Sequence, residues 1–231
     1  MLSEEKPLVL ERPFRSPHHT ITSASLVGGG KNPKPGEVSL AHYGVLFLDE
    51  LTEFNRNVLE LLRGPLEDKE ITISRVNFAV TYPANFIFIA SMNPCPCGFY
   101  GSKDKKCSCK PEQIKRYINK ISGPLLDRID LHIEVEAVKY ESLESKTEIE
   151  KSEDIRKRVN RARKIQVERY KKYGIYSNSE LTPKLIEKYC KLDEESKKIL
   201  GEAFEKLRTK CKSIWQNFKS CKNNSRLRRI T

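Results

Sequence analysis

The sequence predicts an α/β protein, with a parallel-sheet core in the first 140 residues and an all-α segment after it. Three observations carry this. Gly44-Val45-Leu46-Phe47-Leu48 is an apolar run of strand length that ends in the carboxylate pair Asp49-Glu50. Asn85–Asn93 (NFIFIASMN) is a second such run, ending in the polar Asn93. From Glu153 to Leu207 the apolar residues recur at helical spacing. Consecutive apolar residues read as a strand covered on both faces, as in parallel sheets. Ionised carboxylates are costly to bury, so acids at the C-terminal end of such a strand hold a cation or a reacting water, or else form a solvated turn.

Taken in order, Pro13–His18 reads as a short strand, and a Gly/Pro-rich stretch leads from it into a helix-like segment before residue 43. On a strand, His18 and His19 point to opposite faces, which favours a structural or phosphate-contacting role over joint chelation of a metal. A phosphate-gripping loop needs Gly-x-x-x-x-Gly-Lys-Ser/Thr, so that backbone N–H groups and the lysine cradle the phosphates. Gly28-Gly29-Gly30-Lys31 is the nearest approach, but Ser25 stands at the first glycine position and Asn32 follows the lysine. It reads as a turn. Residues 55–68 place Val58, Leu61, Leu62 and Leu66 at helical spacing, with a break expected at Gly64-Pro65. Glu70–Arg75 and Asn77–Tyr82 alternate like the arms of a hairpin.

Cys95-x-Cys97 and Cys107-x-Cys109 flank a linker with Gly98, Gly101 and three lysines. Four thiolates close a tetrahedral Zn²⁺ site, although zinc motifs more often use two-residue spacers; the competing reading is a reduced or redox-sensitive cytosolic cluster. Seven cysteines in all do not form a disulfide framework. Lys103, Lys105 and Lys106 make the linker a candidate nucleic-acid contact, against simple solvation. Leu125–Asp130 sets Arg128 before a third strand-like run, Leu131–Val138. Glu141–Lys151 is charged and poor in large apolar residues, which predicts a linker. Helices are predicted over Glu153–Tyr173, Pro183–Cys190 and Asp193–Leu207, with starts at Thr182-Pro183 and Leu192-Asp193. The division is a core over 1–140, a linker over 141–152, a helical lid over 153–208 and a tail over 209–231.

An acid pair, a strand-end Asn and an Arg in this order match the Walker B, sensor 1 and arginine-finger elements of nucleotide hydrolases. The chain resembles the magnesium-chelatase-like AAA+ ATPases of the ComM/YifB type. Carrying residues are RPFRSPHHT (12–20), LVGGG (26–30), PGEVSLAHYGVLFLDEL (35–51), PLEDKEITISR (65–75), MNPCPCG (92–98) and ISGPLLDRIDLH (121–132). The resemblance covers about residues 11–208. It implies a three-layer parallel-sheet AAA+ core followed by an all-α lid. Asp49 would hold Mg²⁺ through water, Glu50 would polarise the attacking water, and Asn93 would sense the γ-phosphate of ATP. Arg128 would reach into the neighbouring subunit's site. The hairpin of such ATPases projects toward a central pore, which makes Arg75 a candidate nucleic-acid contact beside an equal claim as a surface arginine.

The departures from the family pattern matter as much. The P-loop, its strand and its helix are missing, and in the AAA+ sheet that strand lies between the sensor 1 strand and the last core strand. Two buried edges are therefore expected to lose their hydrogen-bond partners. At the other end, residues 209–231 hold seven Lys/Arg and no acid. Back-translated and read one base later, 210–227 admits SARAYGKILKVARTIAD, the lid helix that supplies a sensor 2 arginine in this family. A one-base frameshift near Arg208–Lys210 is the reading adopted, against a natural basic tail.

Charge follows from that. The chain is +12, with pI about 9.3. Without the tail, 36 bases face 31 acids, a surplus of only +5. Composition alone therefore argues weakly for nucleic acid. No signal-peptide pattern and no apolar run near the ~20 residues of a membrane span is present, which predicts a soluble cytoplasmic protein without a membrane partner.

The resemblance implies an ATP- and Mg²⁺-dependent hexameric ring acting on DNA, in branch migration or helicase work linked to competence; metal insertion into a porphyrin is not inferred from it. This chain is expected to be a fragment, incompetent in hydrolysis alone and open to complementation by a separately encoded N-terminal half. The alternatives are a zinc-stabilised basic nucleic-acid-binding module without ATPase activity and an inert pseudogene product.

Overall fold

The computed structural model describes residues 11–30, 32–75, 78–103, 105–135 and 150–207. The chain forms two compact units, Met1–Ala137 and Val138–Thr231.

The first unit is built on a parallel three-stranded sheet. β1 (Phe14–Arg15) and β7 (Ile87–Ala90) flank β4 (Val45–Leu48). Register runs Phe14 to Val45 on one side, and Val45 to Ile87 through Leu48 to Ala90 on the other. Pairing in parallel puts alternate residues of all three strands on the same face. Leu46, Leu48, Phe88 and Ala90 face one side and join a core with Leu26, Val38, Leu51, Phe54, Val58, Leu59, Leu62 and Leu125. Gly44 carries no side chain because β1 runs against it; a Cβ there would sit 1.9 Å from the Pro13 carbonyl oxygen. That contact closes the ladder, since Val45 N–H donates to the same oxygen at 2.8 Å.

The opposite face differs from the sequence expectation. Phe14, Phe47, Ile87 and Ile89 share it, and Phe14 and Phe47 touch at 6.2 Å between rings. Yet Phe14 is 64% exposed and Ile87 62%. β4 is covered on one face only among the described residues. The predicted strand Leu131–Val138 is also corrected: residues 131–135 form no strand, with Ile133 81% and Val135 83% exposed, and 136–138 lie outside the described residues. A strand needs a ladder partner, and an apolar face needs a cover; the described residues supply neither here.

Short elements surround the sheet. Thr22 caps α1 (Ser23–Val27), and β2 (Gly28–Gly29) pairs antiparallel with β3 (Lys34–Pro35) ahead of α2 (Glu37–Leu40). After a 3-10 turn at Leu51–Glu53 come α3 (Arg56–Glu60) and α4 (Arg63–Asp68). The helix break falls at Leu61-Leu62 rather than at Gly64-Pro65. Pro65 sits in the first turn of α4, where a missing N–H costs nothing. β5 (Glu70–Arg75) and β6 (Phe78–Pro83) form the predicted hairpin, crossed by a Thr72–Thr81 hydroxyl contact of 2.9 Å. α5 (Pro111–Ile118) and α6 (Gly123–Leu126) end the unit's described helices.

In the second unit, α7 (Ser152–Tyr170) continues into a 3-10 turn at Lys171–Tyr173, and α8 (Pro183–Tyr189) and α9 (Glu194–Leu207) follow. Its core is small: Tyr170, Leu181 and Ile186, backed by Ile175, Leu185 and Tyr189. A polar chain locks it, with Tyr170 Oη donating to Asn178 Oδ1 at 2.9 Å and Asn178 N–H donating to Gln166 Oε1 at 3.1 Å. Asp193 starts α9 as predicted, accepting from Ser196 N–H at 2.8 Å. A hydrogen bond from the Ser196 side chain, with this one from its N–H, holds the carboxyl below the usual range. The first three turns of α7, basic in sequence, are exposed. The tail 209–231 and residues 141–149 of the linker lie outside the described residues.

Candidate functional site

The carboxylates follow β4 directly, at the C-terminal edge of the sheet. Asp49 and Glu50 are both exposed there. Register sets Leu48 opposite Ala90, so Ser91 stands beside Asp49 on the neighbouring strand. Ser91 Oγ donates to Asp49 Oδ1, and Glu50 N–H donates to the same oxygen at 3.0 Å. The two segments then stay joined: Ser91 N–H donates to Leu48 O at 3.0 Å and Leu51 N–H to Ser91 O at 2.8 Å. Asp49 is thereby fixed by its own backbone and by the next strand.

Glu50 adopts a left-handed conformation, φ 50° and ψ 52°. A non-glycine residue held there carries about 1–3 kcal/mol of strain, a cost found where function needs a side chain aimed in one direction. The turn places Glu50 directly after Asp49 at the sheet edge. Asn93 lies two residues beyond Ser91 at the same edge, and is exposed. Three of the four predicted catalytic residues therefore share one rim. Ser91 was not predicted; its signal was a hydroxyl at the C-terminal end of the adjacent parallel strand.

Arg128 follows α6 and is held within its own chain. Its Nε donates to Arg63 O at 3.1 Å, one terminal nitrogen donates to Pro124 O at 2.6 Å, and the other pairs with Glu67 on α4. The guanidinium side chain keeps only 18% exposure. Glu67 had no sequence signal beyond its place on the polar side of a helix.

Gly28, Gly29 and Gly30 all have positive φ, which only glycine adopts readily. A Cβ on Gly28 would meet Ile73 Cδ1 of the hairpin and Lys34 O, both at 2.6 Å. The glycines let this turn pass under β5. His18 and His19 correct the alternation argument: they lie past the end of β1, and their rings stack at 3.9 Å. His18 Nδ1 contacts Thr20 Oγ1 at 3.0 Å. Arg75 ends β5 at the hairpin turn, and its side chain lies outside the described residues.

The four predicted cysteines come together. Their sulfurs all lie within 4.8 Å of one another, with Cys95 fully buried and the others half-buried. Backbone N–H groups of Phe99 and Ser108 pull the Cys97 thiol down to about 5. Cys107 is pushed up to about 12, because burial and the neighbouring thiols outweigh an N–H from Cys109. Of the linker lysines, Lys105 Nζ lies 4.3 Å from the centre of the Phe99 ring, a cation–π contact, and Lys103 and Lys106 are exposed. No helix among the described residues is long and apolar enough to cross a membrane.

A family model of magnesium chelatase, subunit ChlI, matches residues 1–143, and one of the ChlI C-terminal part matches 149–218. Competence protein ComM of Haemophilus influenzae is 49% identical over 198 residues, covering 85% of this chain and 38% of the relative. The YifB protein of Escherichia coli is 46% identical over 187 residues, covering 80% and 36%. Magnesium-chelatase subunit ChlI of Cyanophora paradoxa is 25% identical over 129 residues, covering 56% and 31%. The chain thus spans between 31% and 38% of the length of these three relatives.

Proposed function

The chain belongs to the magnesium chelatase subunit ChlI family, and on that premise we propose that it is the metal-and-water half of an AAA+ nucleotide site in a DNA-acting motor of the ComM kind. The observation that carries this reading is the rim formed by Asp49, Glu50, Ser91 and Asn93 at the C-terminal edge of adjacent parallel strands. Open α/β sheets bind their ligands at that edge. Asp49, fixed by Ser91 Oγ and the Glu50 amide, holds Mg²⁺ through water. Glu50, directly after it in a left-handed turn, polarises the attacking water, and Asn93 contacts the γ-phosphate. The phosphates themselves need a cradle of N–H groups and a lysine, and the described turn at Gly28–Gly30 has no such sequence.

A segment carrying a P-loop, whether joined to this chain or supplied apart from it, completes the site in this proposal. Its strand and helix would cover Phe14, Phe47, Ile87 and Ile89 and pair with the Leu131–Val135 segment. In the hexameric ring we propose, Arg128 exchanges Glu67 for a phosphate of the neighbouring site. Competence, the role in the name of the Haemophilus influenzae relative, supplies DNA as the substrate, with Arg75, Lys103, Lys105 and Lys106 as candidate backbone contacts.

The test is reconstitution. A polypeptide corresponding to the part of that relative ahead of the matched region is mixed with this chain. Magnesium-dependent ATP turnover that neither component shows alone is the expected result. Salt-sensitive DNA binding by this chain with no effect of nucleotide would instead favour a basic binding module.

A further inference from the structure

From the cysteine geometry we infer that Cys95, Cys97, Cys107 and Cys109 are the complete ligand set of a structural zinc ion that ties the candidate nucleotide rim to α5. With Zn–S bonds of about 2.3 Å, a regular tetrahedron separates its sulfurs by about 3.8 Å. The measured separations are 3.3 Å for Cys95–Cys97, 3.5 Å for Cys97–Cys107 and 3.7 Å for Cys95–Cys107. They approach a tetrahedral edge from below and exceed the ~2.05 Å of a disulfide bond, and Cys109 lies within 4.8 Å of the other three sulfurs. A set in which every sulfur neighbours every other suits one shared cation better than two bridges. Four thiolate ligands leave no open coordination position, which makes the site structural rather than catalytic.

The surrounding backbone is arranged for thiolates. N–H groups of Phe99 and Ser108 reach Cys97, that of Tyr100 reaches Cys95, and that of Cys109 reaches Cys107. Such donors orient thiolate ligands and stabilise their charge. Two glycines make the turn that allows this. Gly98 has φ 81° and its N–H donates to Cys95 O at 3.0 Å; Gly101 has φ 82°. Pro96 fixes φ between the first two ligands, which compensates for a spacer one residue shorter than the usual zinc motif.

Position gives the ion its task. Cys95 lies two residues after Asn93 at the rim, and Cys109 two residues before Pro111, which opens α5. α5 buries only Ile114 and Tyr117. So short an apolar contact holds a helix weakly, and a metal crosslink adds what the core does not. The linker carrying Lys103, Lys105 and Lys106 is closed into a loop by the same ion.

The experiment uses the whole chain, purified under reducing conditions without added metal. Elemental analysis is expected to find one zinc per chain. Titration of the chelator-stripped chain with Co²⁺ alone is expected to give the ligand-field and thiolate charge-transfer absorption of a tetrahedral S₄ site. Cys97→Ser and Cys107→Ser should each weaken Co²⁺ binding by at least the about 10–100-fold that loss of a mere supporting partner costs. Cys190→Ser, outside the cluster, should leave it unchanged. Chelation should speed tryptic cleavage at Lys103–Lys106. Iron in place of zinc, or the lack of a thiolate absorption on Co²⁺ addition to the reduced unsubstituted chain, would overturn the proposal. Neither readout depends on nucleotide, so failure here is distinguishable from failure of the ATPase reading.

Discussion

Glu50→Gln is expected to lower ATP turnover of the reconstituted assembly by about 10²–10⁴-fold, the range of a general base, while leaving ATP binding intact. The glutamine keeps the shape and loses the charge that draws a proton from water. Its backbone stays in the same left-handed turn, so the rim's geometry persists. Single-turnover hydrolysis beside equilibrium nucleotide binding separates the two effects. A turnover within threefold of the unsubstituted assembly would mean that another group activates the water.

Leu48→Ala is expected to destabilise the first unit by about 2–5 kcal/mol, read as a lowered urea midpoint of that unit's transition. Leu48 is fully buried, on the central strand of a three-stranded sheet that has one covered face. The side chain ends one residue before Asp49, and neighbours on β7 and the surrounding helices close around it. A core this small collapses poorly around a cavity, and its other face offers no reserve of burial. Ile89→Ala is the contrast: it is 46% exposed on the uncovered face and should cost far less in this chain alone.

The legible parts of this chain were those whose signal is local. Strand β4 and its acid pair, the β5–β6 hairpin and helices α7 to α9 each follow from a periodic run bounded by polar or turn residues. The cysteines were legible as a set because four soft ligands in 15 residues have few roles. Elements that depend on a partner were not. Leu131–Val135 has a strand's composition, but extended backbone becomes a strand only where another edge accepts its hydrogen bonds. His18 and His19 were misread because alternation holds only inside a strand, and β1 ends at Arg15. Pro65 predicts a break by composition, but the first turn of a helix accepts it. Long-range polar pairs were invisible for a different reason. Ser91 with Asp49, Glu67 with Arg128 and Tyr170 with Asn178 join residues by register or packing that no spacing encodes.

The structure also recasts Arg128. A guanidinium that reaches a neighbour's phosphate must first leave Glu67 and two carbonyls, all within hydrogen-bond distance. The ion pair is half-exposed on the glutamate side, and such pairs are worth at most about 1 kcal/mol. In the proposed ring, the exchange would trade this pair and both carbonyls for a multiply charged phosphate.

In the proposed function Asp49 and Glu50 supply half of a nucleotide site whose phosphates are gripped by a P-loop. Calorimetric titration of the purified chain with Mg²⁺-ATP tests it most directly, with the Asp49→Ala and Glu50→Gln variants as controls. No saturable binding to the chain alone is expected. Mg²⁺-dependent binding is expected once the P-loop polypeptide is added, lost in Asp49→Ala and retained in Glu50→Gln. Tight Mg²⁺-dependent binding to the chain alone, abolished by Asp49→Ala, would contradict it and mean that residues described here as a turn grip the phosphates.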